Sequence, residues 1–336
     1  MVVRRLRVDQ VRRERFTPGR SLLLFMTDRC PVGCGHCSVD SRPDSPRIRD
    51  FALFERLVDG ICAEPDRHLI GISGGEPFVE RRGLTLAMRR LAAADKDIVL
   101  YTSGVWARRG RQPEWITELL PLASCVFLST DAYHADNIDD ERYAAAARAV
   151  AEAGVPIAVQ VIDVPEQVEA ARHLLTRAFG PDWQRFADLT RTAPLAHGRG
   201  ADLFAPPPLQ PGATVGSCSL LTAPVVRYDG QLVACCNESV IMGRGPQRLR
   251  QTVRDAAELR RALADLDQDA LLGAIATVGA GTVTALPEYS QLAAEPVRGL
   301  CDLCWRLQAA TARPLGDRGN RMLTVLPLAV AAREGR

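Results

Sequence analysis

At 336 residues and 47% hydrophobic composition, the chain can bury one large core, or one large core plus a small appendage. A formal net charge of +2 gives no bulk electrostatic case for nucleic acid, and no apolar run is long enough to span a bilayer. Ten cysteines, with no signal-peptide pattern ahead of them, point to a cytoplasmic protein whose thiols bind metal or do redox chemistry rather than form disulfides.

In chain order, residues 1–20 form a lead-in rich in arginine: Arg4, Arg5, Arg7, Arg12, Arg13 and Arg15. It reads as a solvated strand or helix, with docking to an acidic partner as the alternative. Residues 21–200 alternate β-branched runs with amphipathic stretches. Strands are predicted over 22–27, 68–73, 98–102, 125–130, 156–162 and within 186–192. Helices are predicted over 51–63, 84–94, 114–120, 141–153 and 166–179, with Asp50 as an N-cap and Pro165 in a first turn. This alternation implies an α/β fold, a partial (β/α)6 barrel of the TIM type, with its chemistry at the C-terminal ends of the strands.

Residues 201–216 carry Ala205-Pro206-Pro207-Pro208, Pro211 and Gly212 and read as a stiff linker. Residues 217–310 form a small hairpin and helical extension. Val225 to Tyr228 and Gln231 to Ala234 flank Asp229-Gly230, predicted to be a type I′ turn. Helices are expected over 253–266 and 270–275, and 311–336 is a tail.

Cys30, Cys34 and Cys37 follow the first strand with the spacing C-x3-C-x2-C, with Gly33 and Gly35 between them. Three local thiolates can hold a four-iron cubane and leave one iron open, because such clusters take four thiolates when closed. Zinc is the alternative. It wants four ligands, and His36 beside Cys37 would strain a tetrahedral site.

The segment resembles the signature of the radical S-adenosylmethionine (SAM) superfamily, C-x3-C-x-Φ-C, with His36 in the aromatic position. The likeness extends to Gly74-Gly75-Glu76-Pro77 at the end of the second strand, which matches the family's GGEP motif. The two glycines allow close approach of a ligand to the backbone, and Glu76 can pair with an ammonium. By this resemblance the cofactors are a [4Fe–4S] cluster and SAM. Cleavage of SAM then yields a 5′-deoxyadenosyl radical that abstracts hydrogen from a substrate C–H. The electron donor is a flavodoxin- or ferredoxin-type protein. Tyr101-Thr102-Ser103-Gly104 resembles the family's T-N-G strand end with Ser103 in place of asparagine. Ser129-Thr130-Asp131 resembles its S-x-D, and His197-Gly198-Arg199-Gly200 a G-R-A segment. The two strand ends can equally be ordinary polar strand ends.

Cys218, Cys235, Cys301 and Cys304 make a second set, since the hairpin returns Cys235 towards Cys218 and C-x2-C supplies two thiols from one turn. This set resembles the twitch extension, a shortened SPASM domain, which implies an auxiliary [4Fe–4S] cluster. A structural zinc ribbon is the alternative. Cys236, beside Cys235, is either a bystander or a hydrogen donor, and the choice of ligand between the two is open. Cys62 and Cys125 read as small buried hydrophobes. Asp131-Ala132-Tyr133-His134 lies where substrate should sit; Asp131 or His134 could take a proton and Tyr133 orient the substrate. Otherwise Asp131 caps a turn and His134 is solvated.

The substrate is expected to be a polar small molecule, such as an amino sugar or cyclitol, or a peptide. Oxidation assisted by the auxiliary cluster is the leading reaction; epimerisation and peptide crosslinking are the alternatives. A non-catalytic iron–sulfur or zinc protein would leave the GGEP segment unexplained.

Overall fold

The computed structural model describes residues 3–135, 137–310, 322, 323 and 325; the expected tail over 311–336 lies almost wholly outside them. A short helix, α1 (Val8–Phe16), precedes six strands: β1 (Ser21–Phe25), β2 (Leu69–Ser73), β3 (Asp97–Thr102), β4 (Cys125–Ser129), β5 (Ile157–Ile162) and β6 (Ala187–Thr192). They pair in chain order, and every pairing among them is parallel. Between them run α2 (Phe51–Cys62), α3 (Arg81–Ala93), α4 (Glu114–Leu119), α5 (Ala132–Ala135), α6 (Asp140–Glu152) and α7 (Pro165–Phe179). Capping starts several of these. Asp50 accepts from Leu53 N at 2.8 Å, Asp139 from Arg142 N at 2.8 Å, and Pro165 opens α7. The sheet and its flanking helices form the expected partial barrel.

The strands' period of two divides their side chains between two faces. Leu22, Leu24, Ile70, Ile72, Ile98, Leu100, Val126, Leu128, Ile157 and Val159 share one core with the helices. The alternate residues face the lumen in layers. At one level Leu69, Val99, Cys125, Phe127 and Ala158 pack with Leu6 and Val11 of the lead-in. At another, Ser73, Tyr101, Ser129 and Gln160 line a cavity. The lead-in is therefore a plug under the barrel rather than a solvated arm. Leu6 and Val11 are each 1% exposed, because the N-terminal mouth of the strands offers apolar surface that water would otherwise cover.

Residues 203–209 run without regular structure to β7 (Gln210–Pro211). Beyond lie β8 (Val225–Arg227), β9 (Gln231–Val233), α8 (Glu238–Ile241), β10 (Arg250–Thr252), α9 (Ala256–Asp267), α10 (Ala270–Thr277), α11 (Ala280–Val283), β11 (Pro296–Val297) and α12 (Leu300–Ala310). β8 pairs in parallel with β1, and β9 and β10 follow antiparallel, so the extension continues the barrel sheet at its first strand. A smaller core of Leu271, Ile275, Val283, Tyr289, Leu303 and Leu307 sits behind it.

The β8–β9 turn differs from the expected type I′. Val225 pairs with Val233 and Val226 with Leu232, and Gly230 N bonds Arg227 O at 3.1 Å. The loop therefore has three residues, and of these only Gly230 (φ 86°) takes a positive φ. A type I′ turn would need Asp229 there as well, whereas here Asp229 accepts from Gln231 N at 3.2 Å. A Cβ on Gly230 would stand 2.6 Å from Val253 O. Gly230→Ala should cost about 1–3 kcal/mol, read as a lowered urea midpoint.

No helix among the described residues is long and apolar enough to cross a membrane.

Candidate active site

The chain leaves β1 through Thr27-Asp28-Arg29 into the cysteine loop. Backbone bonds from Cys30 N to Arg42 O (3.1 Å) and Cys37 N to Cys34 O (3.2 Å) shape the loop. A clamp from far along the sequence holds it: Arg199 donates to Cys34 O through Nε (3.0 Å) and Nη2 (2.6 Å), and to Asp40 (2.6 Å) and Ser41 O (3.1 Å) through Nη1. Gly198 comes so close that a Cβ there would stand 2.4 Å from Cys37 O. The sequence marks His197 to Gly200 only by resemblance; the clamping role of Arg199 emerges from the fold.

Cys30, Cys34 and Cys37 line one cavity of about 360 Å³, together with Gly74, Gly75, Ser103, Ser129, Asp131 and His134. It opens at the C-terminal ends of the strands, as a barrel enzyme requires. Burial, with Glu76 adding to it, pushes the Cys30 thiol up to about 12. His36 directs Nε2 at Asp131 (3.2 Å), so its ring is turned to a carboxylate. A set of three clustered thiols suits an iron–sulfur cubane with one open iron better than a closed zinc site.

The GGEP segment packs directly on the start of the cysteine loop. Gly75 N bonds Thr27 O (2.6 Å) and Glu76 N bonds Arg29 O (2.9 Å). A Cβ on Gly75 would lie 2.3 Å from Arg29 O, so only glycine fits there. The Glu76 carboxylate is fully buried and faces the end of β3. It accepts from Thr102 Oγ1 (2.8 Å), Ser103 Oγ (2.7 Å), Ser103 N (3.0 Å) and Phe78 N (3.2 Å). Burial raises its pKa against those hydrogen bonds. Gly74, Gly75 and Ser103 reach the cavity wall, while Pro77 is buried and opens a 3₁₀ turn.

After β4, Asp131 caps α5, accepting from Tyr133 N (2.9 Å) and His134 N (3.1 Å). Its carboxylate also lies 2.9 Å from His134 Nδ1 and 3.2 Å from His36 Nε2. Burial works against the charge on Asp131, but the imidazoles of His134 and His36 beside it win and hold its pKa below the usual carboxylate range. His134 is pushed the other way, to about 10; burial opposes this, and the nearness of Asp131 and Cys34 outweighs it. Asp131 thus caps a turn, and His134 is tied down rather than solvated. The Tyr133 ring lies tilted against His36 (4.8 Å between centroids) and meets Phe204 edge-on (6.2 Å). Gln160, whose facing the sequence leaves open, points into the cavity.

The second cysteine set gathers in one place. Cys218, Cys235, Cys301 and Cys304 line a small apolar cavity with Leu220, Leu221 and Trp305. Burial raises the pKa of all four thiols, to about 11 for Cys301 and about 12 for Cys304. No three of these thiols lie within 4.8 Å of one another, a spacing wider than a single metal ion takes and open to a larger iron–sulfur group. Cys236, just past the bend at Ala234 and Cys235, instead lines the barrel cavity. There its Sγ lies 3.3 Å from Arg15 Nη2. Cys62 is half-buried on α2, and Cys125 is wholly buried in the lower lumen. Arg15 is the site residue that sequence reasoning misses altogether, because it belongs to an arginine run that reads as solvated.

Comparison with known proteins agrees with this fold. The family model of the radical SAM superfamily matches residues 24–175. YydG of Bacillus subtilis (strain 168), provisionally named a peptide biosynthesis protein, is 25% identical over 118 residues; the match covers 34% of this chain and 37% of that protein. The chain therefore matches little more than a third of that relative's length. A structure of anSMEcpe with bound AdoMet and Cp18Cys peptide superposes with a TM-score of 0.51 at 14% identity, covering 94% of this chain and 99% of that one. A second, with Kp18Cys peptide, gives a TM-score of 0.50 at 13% identity, covering 94% and 99%. The cysteine loop, the GGEP segment and the strand ends that meet them all fall within the matched residues, and the chain carries a radical SAM superfamily domain over residues 24–175, which implies a [4Fe–4S] cluster and SAM as its cofactors.

Proposed function

We propose that the chain is a radical SAM enzyme that acts on a C–H bond of a peptide and returns hydrogen to the same carbon from Cys236, inverting its configuration. Cys30, Cys34 and Cys37 would hold the cluster, and Gly74, Gly75 and Ser103 the amino-acid end of SAM. Once bound, these cofactors supply the 5′-deoxyadenosyl radical that removes the first hydrogen atom. The protein's own part is to seat the substrate in the same cavity and exclude water. The observation that carries the reading is the placing of Cys236. Its thiol lines the cavity of the cluster cysteines, whereas Cys235 turns to the four-thiol cavity. The Cys236 S–H bond breaks as the new C–H bond forms, and one external electron and one proton then restore the thiol. A flavodoxin- or ferredoxin-type protein is the proposed source of that electron. A peptide is favoured over a sugar or cyclitol because the matching relative is named for peptide biosynthesis.

The test is isotopic. In D2O, with SAM, dithionite and a peptide that raises 5′-deoxyadenosine output, the product should gain one deuterium at carbon. Cys236→Ala should cleave SAM but yield no deuterated epimer. Continued epimerisation by that variant would sink the donor role.

A second reading has its own support: the four-thiol cavity would suit an auxiliary [4Fe–4S] cluster able to accept an electron from the substrate radical. Product lighter by two hydrogens and free of solvent deuterium would select this oxidation instead.

A further inference from the structure

We propose that Arg15 forms a carboxylate-binding subsite in the barrel cavity, and that the substrate carries an acidic group close to the carbon that reacts. The subsite rests on the proposed function in one respect: substrate enters the cavity that holds Cys236.

Three neighbours of Arg15 in the lead-in reach surface carboxylates: Arg4 binds Asp97 (2.6 Å), Arg7 binds Asp188 (2.6 Å) and Arg13 binds Asp9 (3.3 Å). Arg15 does not. It stands in the last turn of α1, under the barrel, and its side chain rises into the lumen. Its backbone is held firmly, since Arg15 O accepts from Ser21 Oγ (3.1 Å) and Thr222 Oγ1 (2.8 Å). The guanidinium lies beside Tyr101 and donates to Cys236 Sγ at 3.3 Å. Among the described residues, no carboxylate comes within ion-pair distance of it. Glu238 lines the same cavity but turns its carboxylate to His197 Nδ1 at 3.3 Å.

A guanidinium has five donors in a rigid fork, and a thiol and a phenol are poor partners for them. A cation drawn out of water without an anion is unfavourable, and a carboxylate satisfies the fork with two parallel charge-assisted bonds. Because Arg15 touches Cys236, a carboxylate held there brings its neighbouring carbon within reach of the thiol. The acidic group can be an Asp or Glu side chain of a peptide, or a free chain end.

Alkylation of the anaerobically reconstituted enzyme reads the subsite directly. Iodoacetate carries a carboxylate and iodoacetamide does not, and mass spectrometry resolves each cysteine. The iodoacetate-to-iodoacetamide rate ratio at Cys236 should exceed that at Cys62 by about tenfold or more, as expected for one charge-assisted contact. Arg15→Gln should bring the ratio down to that of Cys62, and Arg15→Lys should keep part of it. Equal ratios in wild type and Arg15→Gln, with Cys236 still reactive, overturn the subsite and leave the donor role of Cys236 standing. Cys236 inert to both reagents overturns both. In protection arms, the amide of N-acetylglutamate stands for an acidic side chain and N-acetylglycine for a chain end. Whichever slows iodoacetamide at Cys236 in wild type but not in Arg15→Gln identifies the source. If neither does, the site takes small anions only and the substrate assignment falls.

Discussion

Cys34→Ala is expected to lower 5′-deoxyadenosine formation to background while leaving the fold intact. The loop around Cys34 is shaped by groups other than its thiol: Arg199 binds Cys34 O, Cys37 N donates to that same carbonyl, and Cys30 N bonds Arg42 O. Removing Sγ breaks none of these bonds, so the loop backbone should persist. What goes is one of three cluster ligands, and two thiolates do not hold a cubane in place of three. The measurements are bound iron and 5′-deoxyadenosine after incubation with SAM and dithionite, with a circular dichroism melt as the control for folding. Normal SAM cleavage by Cys34→Ala would refute the assignment of this loop. Loss of activity together with an early melt would move the explanation from ligation to folding.

Arg227→Ala is expected to cost about 3–5 kcal/mol of stability, the usual result of orphaning one partner of a buried ion pair. Asp28 and Arg227 are each 6% exposed and meet in two parallel bonds of 3.0 Å. Tyr228 adds a bond to Asp28 Oδ2 at 2.8 Å, and Asp229 approaches Arg227 Nη2 at 3.0 Å. Without the guanidinium, Asp28 keeps only the tyrosine hydroxyl against its buried charge. The same residue stands two positions before Cys30, and its neighbours Thr27 and Arg29 accept the backbone bonds of Gly75 and Glu76. The pair therefore fastens the C-terminal hairpin to the segment where the cysteine loop meets the GGEP turn. Arg227→Ala should lose bound iron as well as stability, read by a denaturant midpoint and an iron assay on one preparation. The double variant Asp28→Asn with Arg227→Met should recover much of the stability, because replacing both partners leaves no uncompensated charge. Equal midpoints for wild type and Arg227→Ala would show the pair to be idle.

Much of this arrangement is legible in the residues alone, and the reason is locality. Strand and helix periods repeat over a few residues, so the six-fold alternation appears in the pattern and its bounds fall close to those of the structure. Cys30, Cys34 and Cys37 sit within one loop, and their spacing states their geometry before any fold is known. The GGEP turn is equally local. The Asp229-Gly230 turn shows the limit of such reading: the dipeptide announces a hairpin, but its register with β8 and the carbonyl of Val253 set the loop length.

Other features exist only once distant segments meet. Gln160 faces the lumen because β5 pairs with β4 and β6 in one register, and a strand's pattern cannot name its inner face without those neighbours. Arg199 clamps a loop more than 150 residues earlier in the chain. Cys235 and Cys236 are chemically identical and adjacent, and which cavity each one lines depends on where β9 ends against β8, itself placed by β1. Arg15 is one arginine among several until Leu6 and Val11 bury themselves under the barrel and carry it into the lumen. Spacing along a chain fixes which groups can act together at short range. Which groups share a cavity across a hundred residues follows from the packing of apolar faces, and no local pattern encodes that.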